Sequence, residues 1–353
     1  MKALVLSGGA GTRLRPFSYS MPKQLIPIAN RPVLAHVMDN LRVLGITEIG
    51  IVVGERAHEI HAALGDGSEL GVRITYIQQD APRGLAHCVA IAREFLGDDD
   101  FVMYLGDNML PGGIADVAED FARRRPAAQV LVHKVADPRA FGVAEVDARG
   151  RVTALVEKPR EPRSDLALIG VYFFTAAVHR AVDAIGPSRR GELEITDALQ
   201  WLVEHGREVH AHVHSGYWKD TGRVEDVLEC NREVLDALKP YLGGEVDAES
   251  ELIGPVVVED GARVVRSRIV GPAIIGGGSL VEDSHIGPHT SLGRDCAIIS
   301  AEVGYSIALD GASVHHARIQ SSLIGRSAAV TRAPENLHRL VVGDHTRVEV
   351  AAR

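Results

Sequence analysis

From Ile253 onward, apolar residues return every five or six positions, and many of them are followed by glycine. Ile275-Gly276, Val281, Ile286-Gly287, Leu292-Gly293, Ile298, Val303-Gly304, Leu309, Val314, Ile319, Ile324-Gly325 and Val330 carry the pattern. A helix buries a face every three or four residues and a half-buried strand alternates every second residue, so this period belongs to a repeat architecture. A triangular coil satisfies it: each flat side turns one aliphatic side chain inward, and each corner takes a small or turn-forming residue. An antiparallel β-sandwich with many glycine turns is the alternative.

The first two thirds follow a different rule. MKALVLS at the start, EIGIVVG (48–54), VRITYIQQ (72–79) and FVMYLGD (101–107) are apolar, partly β-branched runs. Amphipathic stretches lie between them, such as VLAHVMDNLRVLG (33–45) and LAHCVAIAREFLG (85–97). That order predicts parallel strands with crossover helices. Further strand signals fall at 128–135, 142–147, 152–158 and 168–174, a loop running into a helix at 191–206, and an apolar helix at 224–238. Ligands of such sheets collect at the carboxyl ends of the strands. The glycines after the first strand and the Gly106-Asp107-Asn108 turn are therefore expected to meet in one crevice.

Composition removes several functions. The chain has 353 residues, 46% of them hydrophobic, enough for two packed domains. Its net charge of −9 argues against a nucleic-acid surface, which needs clustered excess Lys and Arg. Cys88, Cys230 and Cys296 are far apart and form no C-x-x-C, so they predict reduced thiols rather than a disulfide framework or a cysteine zinc site. No basic n-region precedes a signal-type apolar stretch, and no long uncharged apolar span follows, so a soluble cytoplasmic protein without a membrane partner is expected.

The stretch SGGAGTRLRPFSYSMPKQL (7–25) holds the first chemical signal. A strand that runs into glycines lets backbone amides approach a phosphate. Leu14 stands where a dinucleotide fingerprint needs its third glycine, and no G-K-[ST] follows Gly8 or Gly9, so neither familiar phosphate loop applies. What remains is a glycine turn with the cations Arg13 and Lys23, and with Pro16, Pro22 and Pro27 keeping the segment out of a regular helix. Such a loop can wrap a polyphosphate.

GGAGTRLRP, PKQLIPIANRPVL, PRGLAHCVAIA, YLGDN, FGVAEV, EKP, LIGVYFF, RGELEITDALQ and YWKDTG, in that order, resemble the sugar-phosphate nucleotidylyltransferase family over essentially the whole chain. With its repeat-built tail the sequence is most similar to the long form used in deoxysugar pathways of antibiotic biosynthesis. The resemblance implies a Rossmann-like α/β nucleotidyltransferase domain, a mostly parallel sheet with flanking helices, over 1–241. It also implies a C-terminal left-handed parallel β-helix of hexapeptide-like repeats over 242–353. The implied reaction is Mg²⁺-dependent in-line transfer from dTTP to α-D-glucose 1-phosphate, giving dTDP-glucose and pyrophosphate.

Position by position, the resemblance implies that Leu6, Gly8, Gly9, Gly11 and Thr12 approach the nucleotide. Arg13 binds the departing phosphates and Lys23 neutralises the α-phosphate. Gln24 and Gln79 read the edge of a pyrimidine, and Gly84 leaves room for the base plane. Uracil and thymine share that edge, so UTP remains an alternative to dTTP. Asn108, Gly142, Glu157 and Val171 meet the hexose, and Lys158 grips its phosphate. Asp107 and Asp220 hold Mg²⁺, which prefers carboxylate, phosphate and water oxygens. Lys219 replaces a commonly aliphatic residue and receives no role.

Other readings remain open at this stage: another hexose 1-phosphate as substrate, or a sugar-nucleotide-binding regulator with a vestigial site. Intact Arg13, Lys23, Asp107, Lys158 and Asp220 speak against the regulator. His285, His315 and His316 lie in the repeat region, where a histidine can serve acyl transfer, but no acyl-donor motif accompanies them. The tail is therefore expected to serve assembly of a homo-oligomer or stability.

Overall fold

The computed structural model describes residues 1–9 and 11–332; residues 333–353 of the expected tail lie outside the described residues. Two compact units interleave in sequence, Met1–Ala10 with Leu34–Asp220 and Gly11–Val33 with Thr221–Arg353.

The first unit is built on one 9-stranded sheet. Its strands are β1 (Lys2–Ser7), β2 (Glu48–Val53), β3 (Arg73–Gln78), β4 (Phe101–Leu105), β5 (Ala128–Lys134), β6 (Gly142–Val146), β7 (Val152–Glu157), β8 (Leu166–Phe174) and β9 (Val209–Val213). They lie in the order β7-β6-β8-β4-β1-β2-β3, with β5 pairing both β8 and β9. Pairings of β1 with β2 and β4, of β2 with β3, and of β5 with β9 are parallel. All strands but β7 and β8 run the same way, so the mostly parallel sheet is present. Those two run antiparallel to the rest. Strand β7 returns from β6 through a tight turn in which the Asp147 carboxylate accepts from the amides of Arg149 (2.8 Å) and Arg151 (2.9 Å). Strand β8 then enters between β4 and β6 with every residue buried.

The expected helices are present with shorter bounds. Val33–Val43, Ile195–Glu204 and Val224–Asp236 form, and the stretch at 85–97 divides into Leu85–Ile91 and Arg93–Leu96. Helices Ala57–Leu64, Ala115–Arg124 and Ala177–Ala184, and strand β9, go beyond the sequence expectation. The three cysteines are free and buried, as predicted. No helix among the described residues is long and apolar enough to cross a membrane.

In the second unit the repeats stack as three parallel sheets of six, six and five short strands, the arrangement of the left-handed β-helix and not of a sandwich. Coiling begins at Tyr241–Leu242, before the periodic row that starts at Ile253. One turn takes 17 residues, shown by the amide of Ser284 donating to Ser267 Oγ, and later 16, shown by the amide of Ser322 donating to Ser306 Oγ. The shortening shifts one inward position: register places Ala308, rather than Leu309, between Leu292 and Ile324. The row through Ile269, Ile286 and Val303 is fully apolar.

Serines hold the corners. Ser267 Oγ accepts from the amide of Ser284 (3.0 Å) and donates to the Val265 carbonyl (2.7 Å), and Ser284 Oγ repeats the arrangement one coil on, with the Ala301 amide (3.0 Å) and the Glu282 carbonyl (2.6 Å). Buried corner groups thus keep their hydrogen bonds inside an otherwise apolar stack.

Ile286 is 0% exposed between coils. Ile286→Asp should cost about 4 kcal/mol or more, since it combines a lost aliphatic contact with an unpaired buried charge. Urea unfolding checks it; an unchanged midpoint would show that the inward row does not hold the coil.

Candidate active site

On the first unit, parallel pairing sets Leu6 beside Leu105, and the Gly106 amide donates to the Leu6 carbonyl (2.9 Å). The carboxyl end of β1, with Ser7 and Gly8, therefore lies next to the Gly106-Asp107 turn, the crevice the sequence predicts. Gln79, at the end of β3, completes this corner. Its Nε2 lies 3.1 Å from His87 Nδ1 and 3.3 Å from Cys88 Sγ, while a methyl group on Gly8 would stand 3.3 Å from its Oε1. The amide nitrogen is thereby occupied and the oxygen faces the glycine turn. Burial pushes the Cys88 thiol up to about 12, so it stays protonated and donates to the Gly84 carbonyl (3.6 Å).

Gly84 has φ of 100° and opens helix Leu85–Ile91. A side chain there would collide with the Leu193 carbonyl, because the 191–194 segment is bound on both sides: the Leu193 amide donates to Arg83 and the Ala86 amide to Leu193. The structure thus gives Gly84 a backbone reason in addition to the space expected for a base.

Asp107 and Asp220 come together through a two-residue antiparallel ladder in which Asp220 pairs with Asn108 and Lys219 with Met109. Both aspartates are half-buried. Asn108, 4% exposed, is held at both ends of its amide: Nδ2 donates to Asp107 Oδ1 (3.0 Å), and Oδ1 accepts from Trp218 Nε1 (2.7 Å). The Trp218 ring meets Phe141 edge-on with centroids 5.6 Å apart. Trp218 therefore braces both Asn108 and the approach to Gly142. Nothing in the sequence reading singles it out beyond its place in YWKDTG.

A second group forms where β6 and β7 pair Gly142 with Glu157. Gly142 is packed so closely that a methyl group would stand 2.6 Å from Thr196 Cγ2 and 3.2 Å from Glu157 Oε2. Glu157 Oε2 accepts from Thr196 Oγ1 (3.1 Å). Its Oε1 faces two cations, Lys158 Nζ and Arg190 Nη1, each at 3.4 Å. Arg190 also reaches Glu192 (3.0 Å) and Glu194 (3.3 Å). Burial, reinforced by the Glu157 charge, raises the carboxyls of Glu194 and Asp197. Arg190 and Thr196 thus join this group, although the sequence shows them within RGELEITDALQ without assigning them a role. Val171 is fully buried beside Tyr104 on β8, leaving its backbone as the part available to a ligand.

Gly11, Thr12, Arg13, Lys23 and Gln24 belong to the second unit. Gly11 takes a left-handed conformation, and its Cα side faces Ser18 and Lys23, so that a methyl group would lie 3.3 Å from Lys23 Cβ. Leu14 is buried and anchors the short turn Thr12–Leu14, leaving Arg13 exposed. Lys23 and Gln24 open a second such turn, Lys23–Leu25. Gln24 is 1% exposed, and its Oε1 has no hydrogen-bond partner among the described residues.

The model of the nucleotidyl transferase family matches residues 2–237. A glucose-1-phosphate thymidylyltransferase of Streptomyces griseus is 54% identical over 355 residues, covering 100% of both chains. One of Streptomyces antibioticus is 54% identical over 354 residues, covering 99% of each. A solved structure of a putative glucose-1-phosphate thymidylyltransferase from Bacillus anthracis, in complex with sucrose, superposes with a TM-score of 0.61 at 35% identity, over 65% of this chain and 94% of that one.

The bound 191–194 segment makes Gly84 testable. Gly84→Ala should destabilise the chain by about 2 kcal/mol or more, from backbone strain at positive φ together with the Leu193 collision. Chemical denaturation measures this, and a wild-type midpoint would mean that the segment moves aside freely.

Proposed function

Because the chain belongs to the nucleotidyl transferase family, we propose that it joins dTTP to α-D-glucose 1-phosphate, forming dTDP-glucose and pyrophosphate at the head of a dTDP-deoxysugar pathway. The observation that carries the reading is the pair Asp107 and Asp220, set side by side at the carboxyl end of β4 and next to the Gly8 turn. Relatives named for this activity along their full length support it.

In the reaction, an oxygen of the sugar phosphate attacks the α-phosphorus in line, the bond from that phosphorus to the bridging oxygen breaks, and pyrophosphate leaves with the electron pair. Charge grows on phosphate oxygens, so the protein must supply fixed cations and amides rather than a covalent nucleophile. The loop that leaves β1 at Gly8 and Gly9 and continues through Gly11 and Thr12 wraps the triphosphate, with Leu6 beneath it. Arg13 stabilises the leaving pyrophosphate and Lys23 the α-phosphate. Gln24 Oε1 accepts the N3–H of the pyrimidine, and Gln79, fixed by His87 and Cys88, takes a second position on the base edge beside Gly84. Two half-buried carboxylates beside a triphosphate fit a magnesium ion: Asp107 and Asp220 would hold Mg²⁺, which would supply positive charge to the phosphate oxygens.

For the sugar, Glu157 accepts from hexose hydroxyls in the space left by Gly142, with Asn108 and the Val171 backbone completing the pocket. Lys158 and Arg190, which share Glu157 Oε1 here, turn to the sugar phosphate when it enters. By resemblance, residues 1–241 correspond to the catalytic domain and 242–353 to the repeat domain, whose proposed role is assembly of the chain into a homo-oligomer. The phosphorylated substrates do not cross an apolar bilayer unaided, which supports a cytoplasmic reaction.

Pyrophosphate release across a matrix of nucleoside triphosphates and sugar 1-phosphates tests the function. Highest kcat/KM with dTTP and glucose 1-phosphate is expected; highest with UTP would change the nucleotide, and release with no pair would favour a binding role. Arg13→Ala should lower kcat by about 100-fold or more with little effect on Tm, because a leaving-group cation acts in the transition state while an exposed one adds little to folding. Asp107→Asn and Asp220→Asn should each raise the Mg²⁺ concentration needed for half-maximal rate, with partial rescue at high Mg²⁺ or Mn²⁺. Wild-type metal dependence in both variants would move the site elsewhere.

A further inference from the structure

The third sheet of the coil carries a charge row that the catalytic reading does not use. Its strands are Glu251–Ile253, Arg268–Val270, His285–Ile286, Glu302–Gly304 and Arg318–Gln320, and parallel register aligns their first residues coil by coil. The resulting row is Glu251, Arg268, His285, Glu302, Arg318, and every member is exposed. Within the chain the charges are matched in two pairs, Glu251 with Arg268 (3.3 Å) and Glu302 with Arg318 (2.6 Å), with His285 between them. A row balanced in this way offers no single-sign field to a small ion.

We propose that this face is a two-fold interface between two copies of the chain. Rotating a second copy by half a turn about an axis along the His285–Ile286 strand reverses the row against itself. Glu251 then meets Arg318, Arg268 meets Glu302, and His285 meets His285, so both charged levels on each side of the axis find the opposite sign. Coils are evenly spaced at about 4.8 Å, so the levels coincide along the whole row. An isologous contact demands this kind of self-complementarity, and most arrangements of five residues lack it.

The neighbouring row has the matching relief. It runs Ile253, Val270, Gly287, Gly304 and Gln320, with two glycines between bulkier residues. Gly287 and Gly304 line a hollow of about 250 Å³, and a groove of about 590 Å³ runs along the other side of the charge row, between it and the preceding corner. The rotation that matches the charges sets Val270 of each copy over Gly304 of the other. By contrast, the first sheet's face is already covered within the unit: Asn231 on helix Val224–Asp236 donates to the His289 carbonyl (3.2 Å) and accepts from Ser291 Oγ (2.9 Å), and Asn30 donates to the Leu292 carbonyl (2.6 Å).

This gives the proposed homo-oligomer a surface and a symmetry, and charge reversal separates the two statements. Arg268→Glu sets a carboxylate against Glu302 of the other copy twice, and Glu302→Arg sets a guanidinium against Arg268 of the other copy twice. In light scattering on the full chain, each variant alone should show half the wild-type mass. Mixed in equal amounts, they should regain it, because one copy's reversed charge then meets the other's. Wild-type mass in both single variants would overturn this face while leaving an oligomer through another surface. A monomeric wild type would overturn both. Halved mass without recovery on mixing would overturn the two-fold pairing. If circular dichroism shows that a reversed coil melts early, Arg268→Gln and Glu302→Gln read the same contact: the dimer dissociation constant should rise about tenfold, and an unchanged constant would overturn the proposal.

Discussion

The antiparallel ladder between β8 and β4 is the interaction on which the catalytic unit depends. It pairs Val171 with Tyr104 and Phe174 with Phe101, in a strand buried along its length. On one side of β8, β4 leads into Asp107 and stands next to β1 with its glycine turn. On the other, β6 carries Gly142 and through β7 reaches Glu157 and Lys158. The Asp107 turn and the Gly142–Glu157 group thus share one buried strand. Because pairing register is fixed wherever both faces are buried, a slip of β8 would displace both together. Its register shifts between Leu168 and Tyr172 on the β5 side, around Gly170. The irregularity lies where the strand passes Asn108, and local bending next to a site is the usual use of such a bulge.

Around that frame, the polar side chains are held by one another. Trp218 fixes Asn108, which in turn hydrogen-bonds Asp107, and His87 with Cys88 fixes Gln79. Thr196 fixes one oxygen of Glu157 while Lys158 and Arg190 compete for the other. Only the second oxygen is held by groups that an arriving phosphate could attract away. Thr196 thus fixes the orientation of the carboxylate independently of the two cations.

Much of this was legible in the sequence, and the exceptions have physical causes. Apolar runs locate eight of the strands in the main sheet within a residue or two, because burial on both faces leaves an unbroken aliphatic signature. Strand β9, VHAHV, escapes that signature because its histidines break it, although His210 is buried. Direction is not legible: an apolar run reads the same whichever way it inserts, so the pattern alone gives β8 a place in the sheet but no direction. The glycine turn, Asp107 and Asp220 stand out through motif spacing. Trp218, Arg190 and Thr196 do not, since their importance lies in which distant residue they reach. The grouping of 11–33 with the coil is equally invisible, because it arises from tertiary bonds such as the Ala29 amide donating to Asn231 Oδ1 (2.8 Å). In the repeats, a change of one residue in coil length is enough to exchange Leu309 for Ala308.

The coil also shows why an aliphatic period alone understates what holds such a tail. At flat sides the stack is sustained by area, and a shorter side chain loses contact in proportion to the carbon removed. At corners it is sustained by hydroxyls, and the loss is of another kind. Ser284 Oγ is the acceptor for the Ala301 amide and a donor to carbonyls on its own coil and the next, so removing it leaves a backbone group buried without water or partner. Serine is small enough for the corner and carries both donor and acceptor, which alanine and valine cannot supply. With sides and corners both satisfied from within, the coil needs nothing from its outer face to stand. That face is therefore free to carry charges whose order matters more than their number, which is the condition under which a row such as Glu251 to Arg318 can encode a partner instead of stability.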